Sequence, residues 1–158
     1  MFRADAWWDD MIGALREARS VLIATYTYDD METTQVLLSR LKSRAPFECR
    51  IVVDRKVAEA NSTRFQRSRL KLLQEHHARI ALADGHDATG VFGPQARGGS
   101  MHMKAVVIDG RIAYAGSANL TRQSRINKEV MFRITGPSVS ELAQAILGTF
   151  DSARVKQI

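Results

Sequence analysis

Trp7, Trp8, Met11, Ile12, Leu15 and Ala18 recur at the three- and four-residue spacing that places side chains on one face of a helix. With Asp5 as N-cap, the spacing predicts an amphipathic helix over 5–19. Val21 to Tyr28 is a run of apolar, β-branched and aromatic residues, the composition of a buried strand. Asp29 or Asp30 then caps a helix over 31–44, with Val36, Leu37, Leu38 and Leu41 turned inward. Glu48 to Asp54 reads as the next strand, 57–77 as a basic helix, and Arg79 to Ala83 as a short strand. Between 84 and 100 periodicity fails: five glycines and a proline mark a long loop. Loops of that length are uncommon unless functional or disordered, and this one ends just before His102, which places it at a site entrance. Met103–Ile108 and Arg111–Ala115 follow as strands joined by an Asp109-Gly110 turn, then a strand at Val130–Thr135. Gly136-Pro137-Ser138 opens a last helix to about 153. Strands alternating with helices predict an α/β fold, a mixed β-sheet flanked by helices on both faces.

With 158 residues, no internal repeat and no linker-like stretch, the chain is expected to form a single domain over 1–158. No apolar run approaches the roughly 20 residues that span a bilayer, so no stable membrane insertion is expected. The N-terminal stretch is acidic and aromatic, unlike a secretory signal, and Cys49 has no internal partner. A cytoplasmic setting follows as the default. The net charge of +6 points toward a polyanionic partner but establishes none by itself.

The chemistry concentrates in one run, Met101-His-Met-Lys-Ala-Val-Val-Ile-Asp-Gly-Arg-Ile-Ala-Tyr-Ala-Gly-Ser-Ala-Asn119, of the form H-x-K-x4-D-x6-G-S-x-N. On an extended chain His102 and Lys104 share a face, as do Ser117 and Asn119, whereas Asp109 has the opposite parity. His102 and Lys104 are thus the chemical pair, and Asp109 is a supporting residue whose commonest use is the Asp-Gly turn. A neutral imidazole can attack phosphorus and divide a phosphodiester displacement into formation and breakdown of a covalent intermediate. Lys104, Asn119 and the Ser117 hydroxyl or backbone can stabilise charge on the non-bridging oxygens. The scheme needs no metal and no cofactor. His76-His77 reads as a solvated helix end, because adjacent helical side chains diverge by about 100°. The glycine-rich stretch before His102 fails as a phosphate-binding P-loop, since Gly99 stands where a lysine is required.

The spacing resembles the signature of the phospholipase D superfamily, whose members cleave phosphodiesters in nucleic acids or lipids. His102, Lys104, Asp109, Gly116, Ser117 and Asn119 match that pattern, and Asn127-Lys-Glu129 before an apolar run adds to it. The resemblance implies that Glu129 hydrogen-bonds the second ring nitrogen of His102. It also implies two motif histidines, one attacking and one protonating the leaving oxygen. This chain carries one copy, so the resemblance to the small single-motif members, homodimeric bacterial endonucleases among them, implies a homodimer with His102 from both subunits facing each other.

Arg64, Arg67 and Lys71 fall on one face of the basic helix and, with Arg97 of the loop, are candidates for contacting substrate phosphates. The same residues would serve equally as a solvated face. The expected function is a metal-independent endonuclease on DNA or RNA, favouring a single strand, through a phosphohistidine. Two alternatives stand beside it: a phospholipid hydrolase or transferase, supported by Trp7, Trp8 and Phe92, and a catalytically silent nucleic-acid-binding module of a larger assembly.

Overall fold

The structure is a computed structural model that describes residues 6–60, 64–86 and 98–155. Seven strands form one mixed sheet: β1 (Ser20–Thr25), β2 (Glu48–Asp54), β3 (Arg79–Ala83), β4 (Ala105–Ile108), β5 (Ile112–Gly116), β6 (Met131–Thr135) and β7 (Arg154–Val155). Their order across the sheet is β6-β5-β4-β1-β2-β3-β7. β1, β2 and β3 run parallel, while β4, β5, β6 and β7 each pair antiparallel with their neighbours.

Two-residue alternation sorts the strand side chains onto two faces. Val21, Ile23, Ile51, Val53, Ile80, Leu82, Val106, Ile108 and Tyr114 pack on one side against α1 (Ala6–Glu17), α2 (Met31–Lys42) and α4 (Arg64–Glu75). The buried stripe of α1 is Trp8, Met11, Ile12 and Leu15, as its spacing predicts; Asp5 lies outside the described residues. Each such side chain, fully buried, contributes roughly 1.5–3 kcal/mol. On the opposite face the strands offer smaller residues, Ala24, Ala81, Ala83, Ala105 and Ala113 with Val52 and Val107. These accept the last helix, α6 (Ser138–Ser152), through Val139, Ile146 and Phe150. Helices therefore flank both faces, as expected. Among the described residues no helix is long and apolar enough to cross a membrane.

Local departures from the expected elements have identifiable causes. The basic helix over 57–77 is two helices, α3 (Arg55–Glu59) and α4. Buried Asp54 caps the first, its Oδ1 accepting from the Val57 amide at 3.0 Å. Strand β1 stops at Thr25 rather than Tyr28, since its antiparallel partner β4 begins at Ala105, opposite Ala24. Tyr28 then forms an isolated bridge with Leu120. Of the two candidate caps for α2, Asp30 is the one used, accepting from the Thr33 amide at 2.7 Å. A short helix, α5 (Arg122–Ile126), follows the motif and escapes periodicity because it is barely more than one turn. The base of the 84–100 segment is paired, not free: Asp84 bridges Ser100, and Gly85 and Gly99 exchange backbone bonds with Gly99 and His86.

Candidate active site

The site lies outside the carboxyl ends of β1 and β2, where the chain enters β4 and leaves β5, the position at which open α/β sheets present ligand-binding groups. His102 is exposed, while Met101 beside it is buried, its amide donating to Asp54 Oδ2 at 2.9 Å. Lys56 Nζ holds the Gly98 carbonyl at 2.8 Å, and this pins the paired base of the segment leading to His102. The imidazole packs on Tyr26, with ring centroids 4.7 Å apart and planes at 52°. His102 and Lys104 precede β4 rather than standing within it, yet they meet. Lys104 Nζ is 3.0 Å from His102 Nδ1 and 3.3 Å from Nε2, and also donates to the His102 carbonyl at 3.0 Å. An ammonium has no acceptor, so whichever ring nitrogen faces it presents a lone pair.

Burial lowers the Lys104 pKa from its ordinary 10.5, and the negative charge of Glu129 opposes that shift. Cleavage that uses the Lys104 cation is lost as pH rises through this lowered value. Glu129→Gln removes the opposing charge, so it moves the alkaline limb of the pH–rate profile further toward neutrality. An alkaline limb that does not respond to Glu129→Gln contradicts this assignment.

Two stretches across from the histidine complete the constellation. Gly116 pairs with Met131, and a Cβ there would collide with the Val130 carbonyl, so the strand can turn into Ser117 only with glycine. The Ser117 hydroxyl donates to Glu129 Oε2 at 2.5 Å and accepts from the Val130 amide at 3.0 Å. This corrects the expectation for Glu129: its carboxylate holds Ser117, with Asn127 Nδ2 at 3.3 Å from Oε1, rather than the ring of His102. The geometric reason is that His102 turns toward Tyr26 and Lys104. Asn119 is fixed at both ends, its amide N–H donating to Ser124 Oγ at 3.1 Å and its Oδ1 accepting from the Thr27 amide at 3.3 Å. That leaves its Nδ2, which has no partner among the described residues, as a donor for an anionic oxygen.

Asp109 is not brought to the site. It sits at the opposite end of β4, in the left-handed region with Gly110 (φ 53° and 62°), and closes a two-residue hairpin. Its Oδ1 accepts from the Arg19 and Ser20 amides at 2.8 and 2.7 Å, so this carboxylate holds the start of β1. Arg67 is partly engaged, its Nη2 3.2 Å from the Glu59 carbonyl at the end of α3. Lys71 is exposed on α4, about 9 Å along the axis from Phe65. Arg64 opens that helix, and Arg97 lies outside the described residues.

Tyr26, Thr27, Asp54 and Ser124 shape the site without having been singled out by sequence. Tyr26 stands in a strand-like apolar run, and nothing local marks its ring as leaving the sheet. Among the described residues, no three His, Cys, Asp or Glu side chains gather as metal ligands.

Residues 11–153 match the family model described as cardiolipin synthase, PLD-like domain. No curated protein sequence matches significantly. Among solved structures the chain is similar to NucT from Helicobacter pylori, with a TM-score of 0.83 and 20% identity, covering 97% of this chain and 92% of that one. It is similar also to Nuc, a phospholipase D family member from Salmonella typhimurium, at TM-score 0.75 and 15% identity, covering 96% and 91% of the two chains. A more distant likeness is TrmBL2, an archaeal chromatin protein, at TM-score 0.63 and 11% identity over 97% of this chain and 52% of the other. At these identities the structural likenesses establish the fold, while the family model covers nearly all of the chain. This protein belongs to the phospholipase D superfamily of phosphodiesterases.

Proposed function

We propose that the chain is a nuclease that cleaves phosphodiesters of DNA or RNA, preferring a single strand, through a covalent phosphohistidine at His102 and without a metal. The observation that carries this reading is the meeting of His102, Lys104, Ser117 and Asn119 at one sheet end of a chain with net charge +6. An imidazole lone pair attacks phosphorus, a P–N bond forms, and the P–O bond to the leaving strand breaks. The leaving oxygen takes a proton from a second imidazole. Water, giving its proton to that second imidazole, then attacks phosphorus and breaks the P–N bond. Lys104 balances the charge on the non-bridging oxygens and Asn119 Nδ2 donates to them, while Ser117, its proton given to Glu129, holds that carboxylate in place.

One motif per chain makes the second imidazole that of another copy. Supporting this, Ile126 at the end of α5, Val130 before β6 and Phe132 within it are 79%, 62% and 63% exposed, and among the described residues no strand pairs with the outer edge of β6. Exposed apolar side chains on a free strand edge favour association. The net charge of +6 suits a polyanionic strand, which favours nucleic acid as substrate.

Incubation with single- and double-stranded DNA and RNA in excess chelator tests this reading. Cleavage that persists under chelation, by a protein that sediments as a dimer, is expected. Loss of all cleavage on chelation contradicts the metal-free mechanism. Cleavage of phospholipid but of no nucleic acid overturns the substrate, and salt-sensitive binding without turnover overturns the enzyme.

A further inference from the structure

The chemistry at His102 leaves an adjoining cleft without a role. It encloses about 340 Å³ and runs from Asn119 and Glu129 to Phe65 and Gln66 on α4. That volume lies at the small end of ligand pockets. Phe65 is a large aromatic side chain left 53% exposed at the cleft wall. The Arg122 guanidinium stands over its ring, 5.9 Å from the centroid, and the Arg122 amide is anchored on Asp29 Oδ1 at 2.8 Å.

The remaining wall is rich in carboxamides. Gln66 is 3% exposed; its Oε1 accepts from the Tyr28 amide at 2.8 Å, while its Nε2 has no partner among the described residues. Gln123 and Asn127 bond to each other at 2.8 Å on the far side. Among the described residues the lining carries the carboxylates of Asp29 and Glu129 but no lysine or arginine, and the Arg122 guanidinium beside it is engaged over the Phe65 ring. A second phosphate would be repelled by those two carboxylates. A neutral heterocycle would meet a stacking face and groups that both donate and accept hydrogen bonds.

The geometry points to a subsite for one unpaired nucleobase, stacked on Phe65 beside Arg122 and bounded by the Gln66, Gln123 and Asn127 carboxamides. This deepens, and rests on, the nucleic-acid reading of the site at His102. Continuity with Asn119 makes it the base of a nucleotide next to the scissile phosphate. A base held in a duplex cannot lay its face on Phe65, so the subsite supplies a physical reason for preferring single strands.

Binding without turnover tests it, by fluorescence anisotropy of a labelled single strand on the His102→Ala protein. The comparison is with a strand of equal length that carries abasic sugars throughout. The intact strand is expected to bind roughly 5- to 150-fold more tightly, the worth of one base on one aromatic ring. Phe65→Ala is expected to bring that ratio near one, and Phe65→Trp to restore it. A ratio that ignores Phe65→Ala, or that Phe65→Trp fails to restore, overturns the subsite. Equal, tight and salt-sensitive binding of both strands also overturns it while leaving the nucleic-acid reading standing. Binding of neither strand at low salt removes the nucleic-acid reading itself.

Discussion

Replacement of His102 by alanine is expected to lower phosphodiester cleavage by on the order of 10⁴-fold or more, because in the proposed mechanism it removes the atom that attacks phosphorus. The substitution is also structurally mild. His102 is exposed, and its ring touches Tyr26 and Lys104 rather than the core, so no cavity opens behind it. Exposed substitutions of this kind change stability by about 0.5 kcal/mol or less. Single-turnover cleavage of a labelled oligonucleotide, read beside a thermal melt, separates the two effects. A His102→Ala protein that melts normally yet cleaves within tenfold of the unaltered one would show that the imidazole is not the nucleophile.

Arg125→Ala is expected to destabilise the fold by about 3 kcal/mol, since it strips the partner from a buried carboxylate. Asp30 is 1% exposed, and its two oxygens take the Arg125 Nε and Nη2 at 2.6 and 3.0 Å while Oδ1 also caps α2. Arg125 further reaches Glu32 at 2.9 Å and covers the Trp8 ring at 4.2 Å, so one side chain ties α5 to α1 and α2. For a chain of this size the loss corresponds to a fall of roughly 6–12 °C in Tm. The pH dependence carries a distinct signature. Burial pushes the Asp30 carboxyl up, but the Arg125 and Thr33 bonds outweigh it and hold the group below its ordinary 3.8. A depressed folded value means stabilisation that is present above the unfolded value and lost as pH falls through the folded one. Without Arg125 the largest contribution opposing burial is lost and the Asp30 value rises, so acid unfolding of Arg125→Ala sets in at higher pH than in the unaltered protein. Melting curves between pH 3 and 7, pH values chosen to bracket about 3.9, check both statements. A Tm within 2 °C of the unaltered protein across that range would contradict them.

Legibility of the sequence followed the range of the interactions involved. Elements specified by their own side chains were readable. The α1 stripe from Trp8 to Leu15, the buried strand Ile51 to Val53 and the Asp109-Gly110 hairpin each carry their cause within a few residues. The H-x-K spacing through Asn119 was readable for the same reason, and the fold it implied is the one formed. Features set by distant partners were not. Strand β1 ends at Thr25 because β4 begins some 80 positions away, and Asp54 reaches across to the Met101 amide. The partner of Glu129 depends on which way the His102 ring turns, which Tyr26 and Lys104 decide. Arg67 looked available on its helical face, yet a break after Glu59, invisible to periodicity, presents it with carbonyls to bind. The Phe65 cleft needs α4, α5 and the segment after β1 together, and no single stretch announces it.

Mass spectrometry of the protein, quenched with alkali during single-turnover cleavage, reads the covalent step itself. Catalysis through a phosphohistidine predicts a peptide containing His102 heavier by the phosphoryl-linked strand, absent when His102 is alanine. Full burst cleavage with His102 unmodified at every time point, or an adduct carried by another residue, would contradict it.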